Sequence, residues 1–179
     1  ADTDTEGHRN MKERVEVMIT AEAIAKRLEE IAEQVYEDFE GEQVELVCAL
    51  KGGVTVLVEL AKKLRQPATM NFMRVSSYGD ATESSGHIQI IMDLEESIEG
   101  KNVLVVEDII DSGRTLSHLR GLLLSREPKS LKICTLLDKP ERRVTDVPVD
   151  YTGFTIPDAF VVGFGLDYAQ RYRNLPYVG

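Results

Sequence analysis

The sequence predicts an α/β protein, a mainly parallel, twisted sheet flanked by helices. Three observations carry this. Val103-Leu104-Val105-Val106 is a short unbroken apolar run, the pattern of a strand covered on both faces. It passes through a small turn, Asp111-Ser112-Gly113-Arg114-Thr115, into Leu116, Leu119, Leu122 and Leu123 at helical spacing. The same strand–turn–helix order occurs earlier, with Val44 to Leu50, then Lys51-Gly52-Gly53, then an apolar stretch from Val54 to Leu64. Repeated units of this kind stack into a parallel sheet. At 179 residues, with no internal repeat and no linker, the chain is expected to form one domain over 15–179.

In order along the chain, residues 1–14 are polar, without periodicity, and are expected to be a disordered tail. Met11 within it is a candidate natural start. Thr20 is placed as an N-cap, with Ile19 and Ile24 as a hydrophobic staple. Ile24, Leu28, Ile31, Val35 and Phe39 then mark one face of a helix that Gly41 ends. After the first strand–helix unit, Asn71 to Val75 and His87 to Met92 read as strands. Ser76 to Gly86 between them is polar, with Tyr78 its one large side chain, and is either a mobile hairpin or a lid. Ser130 to Leu137, Asp150 to Thr155 and Ala159 to Val162 read as three further strands.

The net charge of −10 argues against non-specific nucleic-acid binding. No apolar run is long enough to span a bilayer, so no membrane partner is expected. Cys48 and Cys134 sit in apolar, strand-like runs and read as buried free thiols of a reducing cytoplasm. No Cys/His spacing suits zinc.

The stretch from Val103 to Thr115 carries the chemistry. Its turn ends at a helix N-terminus, where free N–H groups and the dipole favour a phosphate. Ser112 and Thr115 add hydroxyls, and Gly113 lets the backbone come close. Glu107 and Asp108 suit sugar hydroxyls or a hard cation such as Mg²⁺. Asp111 stands between the two groups, placed for proton transfer. The bland alternative is a surface turn with Asp111 or Ser112 as N-cap. Lys51-Gly52-Gly53 is a second anion site or a tight loop with a solvated lysine. Lys139, at a strand end, lies on the ligand side of an open sheet or is a loop residue.

The ordered string at 103–115 resembles the signature of the type I phosphoribosyltransferases, which bind 5-phosphoribosyl-1-pyrophosphate. The rest of the chain resembles one branch, the 6-oxopurine (hypoxanthine–guanine) enzymes. The matching pieces are Leu50-Lys51-Gly52-Gly53, Ser77-Tyr78, Asp138-Lys139, Pro157 to Gly163, Leu166-Asp167-Tyr168 and Tyr172 to Pro176. Together they span 46–178.

The resemblance implies a core sheet with a small hood formed by N- and C-terminal segments. It implies that Glu107 to Thr115, including Ile109, Ile110 and Arg114, bind the phosphate and ribose, with Asp111 catalytic near purine N7. Lys51, Gly52 and Arg173 would hold pyrophosphate, and the peptide bond before Lys51 would be cis. Lys139 would donate to purine O6, Phe160 would stack on the ring, and Val161 would meet its edge. Asp167 would lie beside the base and bind a second Mg²⁺, the first lying near Glu107 and Asp108. Ser77 and Tyr78 would belong to a lid that excludes water. The substrates and products implied are hypoxanthine, guanine, IMP, GMP and pyrophosphate, and the assembly a homodimer or homotetramer. The chain ends at Gly179, where members of the branch usually continue for several residues, which suggests a truncated C-terminus.

Physical chemistry supports these roles independently. O6 is an acceptor that a lysine satisfies, whereas the 6-amino group of adenine is a donor. An aromatic face suits a flat heterocycle. Two rivals share the fold. One is a phosphoribosyl-pyrophosphate-binding regulator without this activity, which the acidic balance disfavours. The other is an enzyme for adenine, which Lys139 and Phe160-Val161 disfavour. A P-loop protein would need a glycine-lysine motif that is missing here.

Overall fold

The structure is a computed structural model and describes residues 13–77 and 87–179. Its helices are α1 (Ala21–Asp38), α2 (Val54–Lys63) and α3 (Arg114–Leu124). Its strands are β1 (Val44–Ala49), β2 (Ala68–Ser77), β3 (Ile88–Met92), β4 (Asn102–Ile110), β5 (Ser130–Asp138) and β6 (Tyr151–Thr155). They form one sheet in the order β3-β2-β1-β4-β5-β6. Every neighbouring pair is parallel except β2 and β3, which run antiparallel with an irregularity between Arg74 and Val75.

Alternation along the strands builds two cores. Leu46, Cys48, Leu104, Val106, Cys134 and Leu136 face α1 and α2, meeting Ile24, Leu28, Ile31, Val56, Leu57 and Leu60. Val47, Val103, Val105 and Ile133 face the other way, meeting Leu116, Leu119 and Leu123 of α3. The central strands are therefore covered on both sides, which is why they read as continuous apolar runs. Thr20 caps α1, its Oγ1 accepting from Ala23 N at 3.1 Å, and Ile19 packs on the same core as Ile24.

The strand order places the site. From β1 the chain crosses by α2 to β2 on one side; from β4 it crosses by α3 to β5 on the other. The carboxyl ends of β1 and β4 thus border the crevice where open α/β sheets bind ligands.

Two readings need correction. Ala159 to Val162 is not a strand. Pro157 has no N–H to extend the ladder beyond β6, and the segment turns over the sheet end. Val162 there exchanges backbone hydrogen bonds with Gly179, 2.8 and 2.9 Å. Val178 in turn bonds Met18 and Ile19, so the N- and C-terminal segments meet over the carboxyl end of the sheet. The strand read from Asn71 to Val75 is longer at both ends: β1 pairs with it from Ala68, and β3 pairs with Ser76 and Ser77 at its far end. The tail expected over 1–14 falls almost wholly outside the described residues.

Candidate active site

Two glycine-bearing loops meet at the crevice. Lys51-Gly52-Gly53 leaves β1 through a cis Leu50–Lys51 peptide bond, as the family resemblance implies. A Cβ on Gly52 would stand 2.0 Å from Asp108 Oδ2, and one on Gly53 would stand 2.9 Å from Cys48 Sγ and 3.0 Å from the Val106 carbonyl. Glycine is what allows this loop to lie against the end of β4.

The second loop follows β4. It borders a cavity of about 590 Å³ lined by Glu107, Ile109, Ile110, Asp111 and the turn from Ser112 to Thr115. Successive strand residues point to opposite faces, so Glu107 faces this cavity while Asp108 turns toward Gly52. The cap of α3 is Gly113 rather than Asp111 or Ser112. Its φ of 81° is left-handed, a conformation glycine adopts freely. Ser112 Oγ accepts from Arg114 N at 3.2 Å.

The carboxylates are held in unusual surroundings. Burial, reinforced by the Asp108 charge, pushes Glu107 up to about 8. Burial also pushes Asp108 up, against the Ile109 N–H it accepts at 2.8 Å and the attraction of Arg173. Mg²⁺ characteristically takes one or two carboxylates and completes its shell with water and substrate oxygens. Glu107 and Asp108 face different ways, so each can offer such an ion one carboxylate. Among the described residues no three His, Cys, Asp or Glu side chains gather into a metal cage.

On the other flank, buried Lys139 brings its Nζ to 3.8 Å from Asp111 Oδ1. Phe160 is 73% exposed, so it is not core, and it meets the Tyr168 ring edge-on at 5.9 Å. Val161 beside it is buried. Phe160 and Tyr168 line a cavity of about 540 Å³ under the paired terminal segments.

Lys51, Gly52, Asp167 and Arg173 also come together. Lys51 Nζ donates to Gln170 Oε1 at 3.2 Å. Arg173 Nη1 donates to the Gly165 carbonyl at 2.7 Å, and its Nη2 lies 3.4 Å from Asp167 Oδ1. Asp167 Oδ2 accepts from Gln170 N at 2.9 Å. Gly165 seals the contact: at φ 99°, a Cβ there would stand 2.1 Å from the Gly52 carbonyl. Ser77 Oγ lies 3.0 Å from Thr115 Oγ1, which ties the end of β2 to the turn. Tyr78 and the rest of the lid reading to Gly86 lie outside the described residues.

Sequence reasoning missed Gln170, Gly165, the Arg143 contacts to the turn, and Arg142, which lines the same cavity as the turn. Gly165 carries a signal, a glycine between two apolar residues near a chain reversal. A polar arginine in a polar loop carries none.

Residues 17–169 match the family model of the phosphoribosyl transferase domain. The chain belongs to the phosphoribosyltransferase family. It is 52% identical over 171 residues to the hypoxanthine phosphoribosyltransferase of Salmonella typhimurium, covering 94% of this chain and 96% of that one. It is 48% identical to the hypoxanthine-guanine phosphoribosyltransferase of Bacillus subtilis, covering 94% of each. The crystal structure of a hypoxanthine-guanine phosphoribosyltransferase from Bacillus anthracis superposes with a TM-score of 0.89 at 44% identity, covering 93% of this chain and 98% of that one. This phosphoribosyltransferase is therefore a transferase of the hypoxanthine–guanine branch, and its six-stranded, mostly parallel sheet is the fold of that branch.

Proposed function

We propose that this phosphoribosyltransferase joins hypoxanthine or guanine to 5-phosphoribosyl-1-pyrophosphate, giving IMP or GMP and pyrophosphate in purine salvage. Xanthine is a further base to be tested. The observation that carries the reading is buried Lys139, whose Nζ lies 3.8 Å from Oδ1 of Asp111, an aspartate that lines the same cavity as the turn from Ser112 to Thr115. That arrangement offers a donor for O6, a proton acceptor and a phosphate cradle, and exposed Phe160 is available as a stacking face.

We assign the roles as follows, and the geometry supports them. The turn from Ser112 to Thr115 holds the 5′-phosphate on N–H groups and hydroxyls. Glu107 and Asp108 hold the ribose hydroxyls. Lys51, Gly52 and Arg173 hold the pyrophosphate as it departs. Lys139 donates to O6, Phe160 stacks on the ring, and the Val161 backbone meets its edge. Asp111 takes the proton from N7 as the purine nitrogen attacks ribose C1 and the C1–oxygen bond to pyrophosphate breaks. Carboxylates near the electron-poor sugar stabilise it electrostatically. Ser77, fixed on Thr115, anchors one end of a loop that excludes water.

Mg²⁺ would be held at Glu107 and Asp108 and, for a second ion, at Asp167, and when bound it would neutralise phosphate oxygens. Residues 15–179 are read as a single domain. The free, buried Cys48 and Cys134, whose thiols burial pushes up, support a reducing cytoplasm. Apolar Met70, Ile90, Ile91 and Met92 are exposed on β2 and the edge strand β3, which supports a homodimer or homotetramer. No described helix is long and apolar enough to cross a membrane.

The test offers hypoxanthine, guanine, xanthine and adenine singly with 5-phosphoribosyl-1-pyrophosphate and Mg²⁺ and follows nucleotide formation. Turnover of the 6-oxopurines but not adenine is expected. Turnover of adenine alone, or of none, would reject the reading.

A further inference from the structure

The segment Arg143-Val144-Thr145 fastens the turn. Arg143 Nε donates to the Asp111 carbonyl at 3.1 Å. Its Nη2 pairs with Asp138 Oδ1 at the end of β5, and both side chains are less than a fifth exposed, at 18% and 19%. The Ser112 carbonyl accepts from both Val144 N and Thr145 N, at 3.0 and 3.1 Å. The packing leaves no slack. A Cβ on Gly113 would stand 2.4 Å from the Thr145 carbonyl and 3.0 Å from Arg143 Cδ.

The consequence is directional. In a planar trans peptide the carbonyl of one residue and the N–H of the next point opposite ways. Fixing the carbonyls of Asp111 and Ser112 on Arg143, Val144 and Thr145 turns the N–H groups of Ser112 and Gly113 the opposite way, and the turn that carries them lines the cavity, as Val144 does. Among the described residues no backbone hydrogen bond uses either N–H. A row of such N–H groups is an anion cradle.

We propose that Arg143, held by Asp138, is a positioning residue that orients the Asp111–Ser112 peptide for the ribose phosphate. Arg143 acts through the peptide plane and need not touch the ligand. The inference deepens the function proposed above and rests on the turn being a phosphate site. Asp138 directly precedes the proposed base reader Lys139, whose backbone N donates to the Ile110 carbonyl at 3.0 Å. Lys139 is thus held by β4 through its own backbone bond, independently of Arg143.

The test measures ribose 5-phosphate binding by calorimetry on the full chain, with steady-state kinetics and thermal melts beside it. Removing a hydrogen bond to a charged group corresponds to about a 10- to 100-fold loss. Arg143→Ala is expected to weaken ribose 5-phosphate and raise KM for 5-phosphoribosyl-1-pyrophosphate by about that factor. KM for hypoxanthine should stay within about three-fold, since one orphaned backbone carbonyl at the surface reaches water. Added methylguanidine should restore part of the lost affinity. Unchanged ribose 5-phosphate binding overturns the proposal, and so does an equal loss for both substrates with a collapsed melting temperature.

If Arg143→Ala does not fold, Arg143→Lys decides. Lysine keeps the charge but lacks the two-armed fork. The proposal requires weakened ribose 5-phosphate binding with a near-wild-type melt, and wild-type affinity rejects it. Absence of nucleotide formation by the wild-type protein would remove the proposed function alone, because ribose 5-phosphate binding needs no turnover. A wild-type protein that binds no ribose 5-phosphate overturns both.

Discussion

Replacing Gly52 with alanine would place a methyl carbon 2.0 Å from Asp108 Oδ2 and 2.9 Å from its Cγ. Carbon contacts settle at about 3.5–4.0 Å, so the carboxylate must swing by roughly an ångström or more. The obstacle is the end of a side chain, which can turn for about 0.5–1.5 kcal/mol, so the fold should survive. The site should not. Turning Asp108 breaks the 2.8 Å bond it accepts from Ile109 N and shifts its position relative to Arg173. A bond to a charged group contributes about 1.5–3 kcal/mol, which sets the expected loss in kcat/KM at about 10- to 100-fold. The assay varies 5-phosphoribosyl-1-pyrophosphate at saturating hypoxanthine, with melts on the same samples. Gly165→Ala is the contrast. Its Cβ meets the Gly52 backbone carbonyl at 2.1 Å from a left-handed φ, so activity and melting temperature should fall together. A Gly52→Ala enzyme within about three-fold of wild type would refute the claim that this loop contact sets Asp108 for the ribose.

Three further outcomes are expected. Asp111→Asn keeps the shape and loses the proton acceptor, so kcat should fall by about 10²–10⁴ while IMP binding changes little; single-turnover kinetics measure it. Lys139→Ala should raise KM for hypoxanthine and guanine by the equivalent of about 1–3 kcal/mol and spare 5-phosphoribosyl-1-pyrophosphate. An equal loss for both substrates would make Lys139 a general anion ligand. The third concerns pH. Without ligands, folded Glu107 keeps its proton up to about pH 8, whereas an ordinary carboxyl gives it up at 4.5. The folded state binds more protons in that window, so Glu107 makes stability fall as pH rises from 4.5 to about 8. Glu107→Gln should flatten that part of the melting-temperature profile. Identical slopes for the two proteins would contradict the assignment.

The parts of the fold legible in the sequence are those where one physical signal dominates. β1, β4 and β5 are covered on both faces and so stand out as Val/Ile/Leu runs, and α1 shows its cap, its stripe and its terminating glycine. The turn after β4 is legible because a phosphate cradle restricts residue type at nearly every position. Elements set by distant partners are harder to read. Ala159 to Val162 has strand composition, but Gly179 takes its backbone bonds. The ends of β2 follow its partners, β1 at the start and β3 at Ser76 and Ser77, rather than their own pattern, and Met70 there is exposed. Arg143 and Gln170 act through contacts to Asp111 and Lys51 that no local spacing announces. Phe160, which composition allows as core, is exposed because the chain rises off the sheet past Pro157.

A crystal structure with bound IMP tests the central claim most directly. The account predicts the 5′-phosphate on the N–H groups of the turn from Ser112 to Thr115 and the ribose hydroxyls toward Glu107 and Asp108. It places purine O6 within hydrogen-bond reach of Lys139 Nζ and the ring against Phe160. A phosphate bound elsewhere, or a purine turned so that O6 faces away from Lys139, would contradict it.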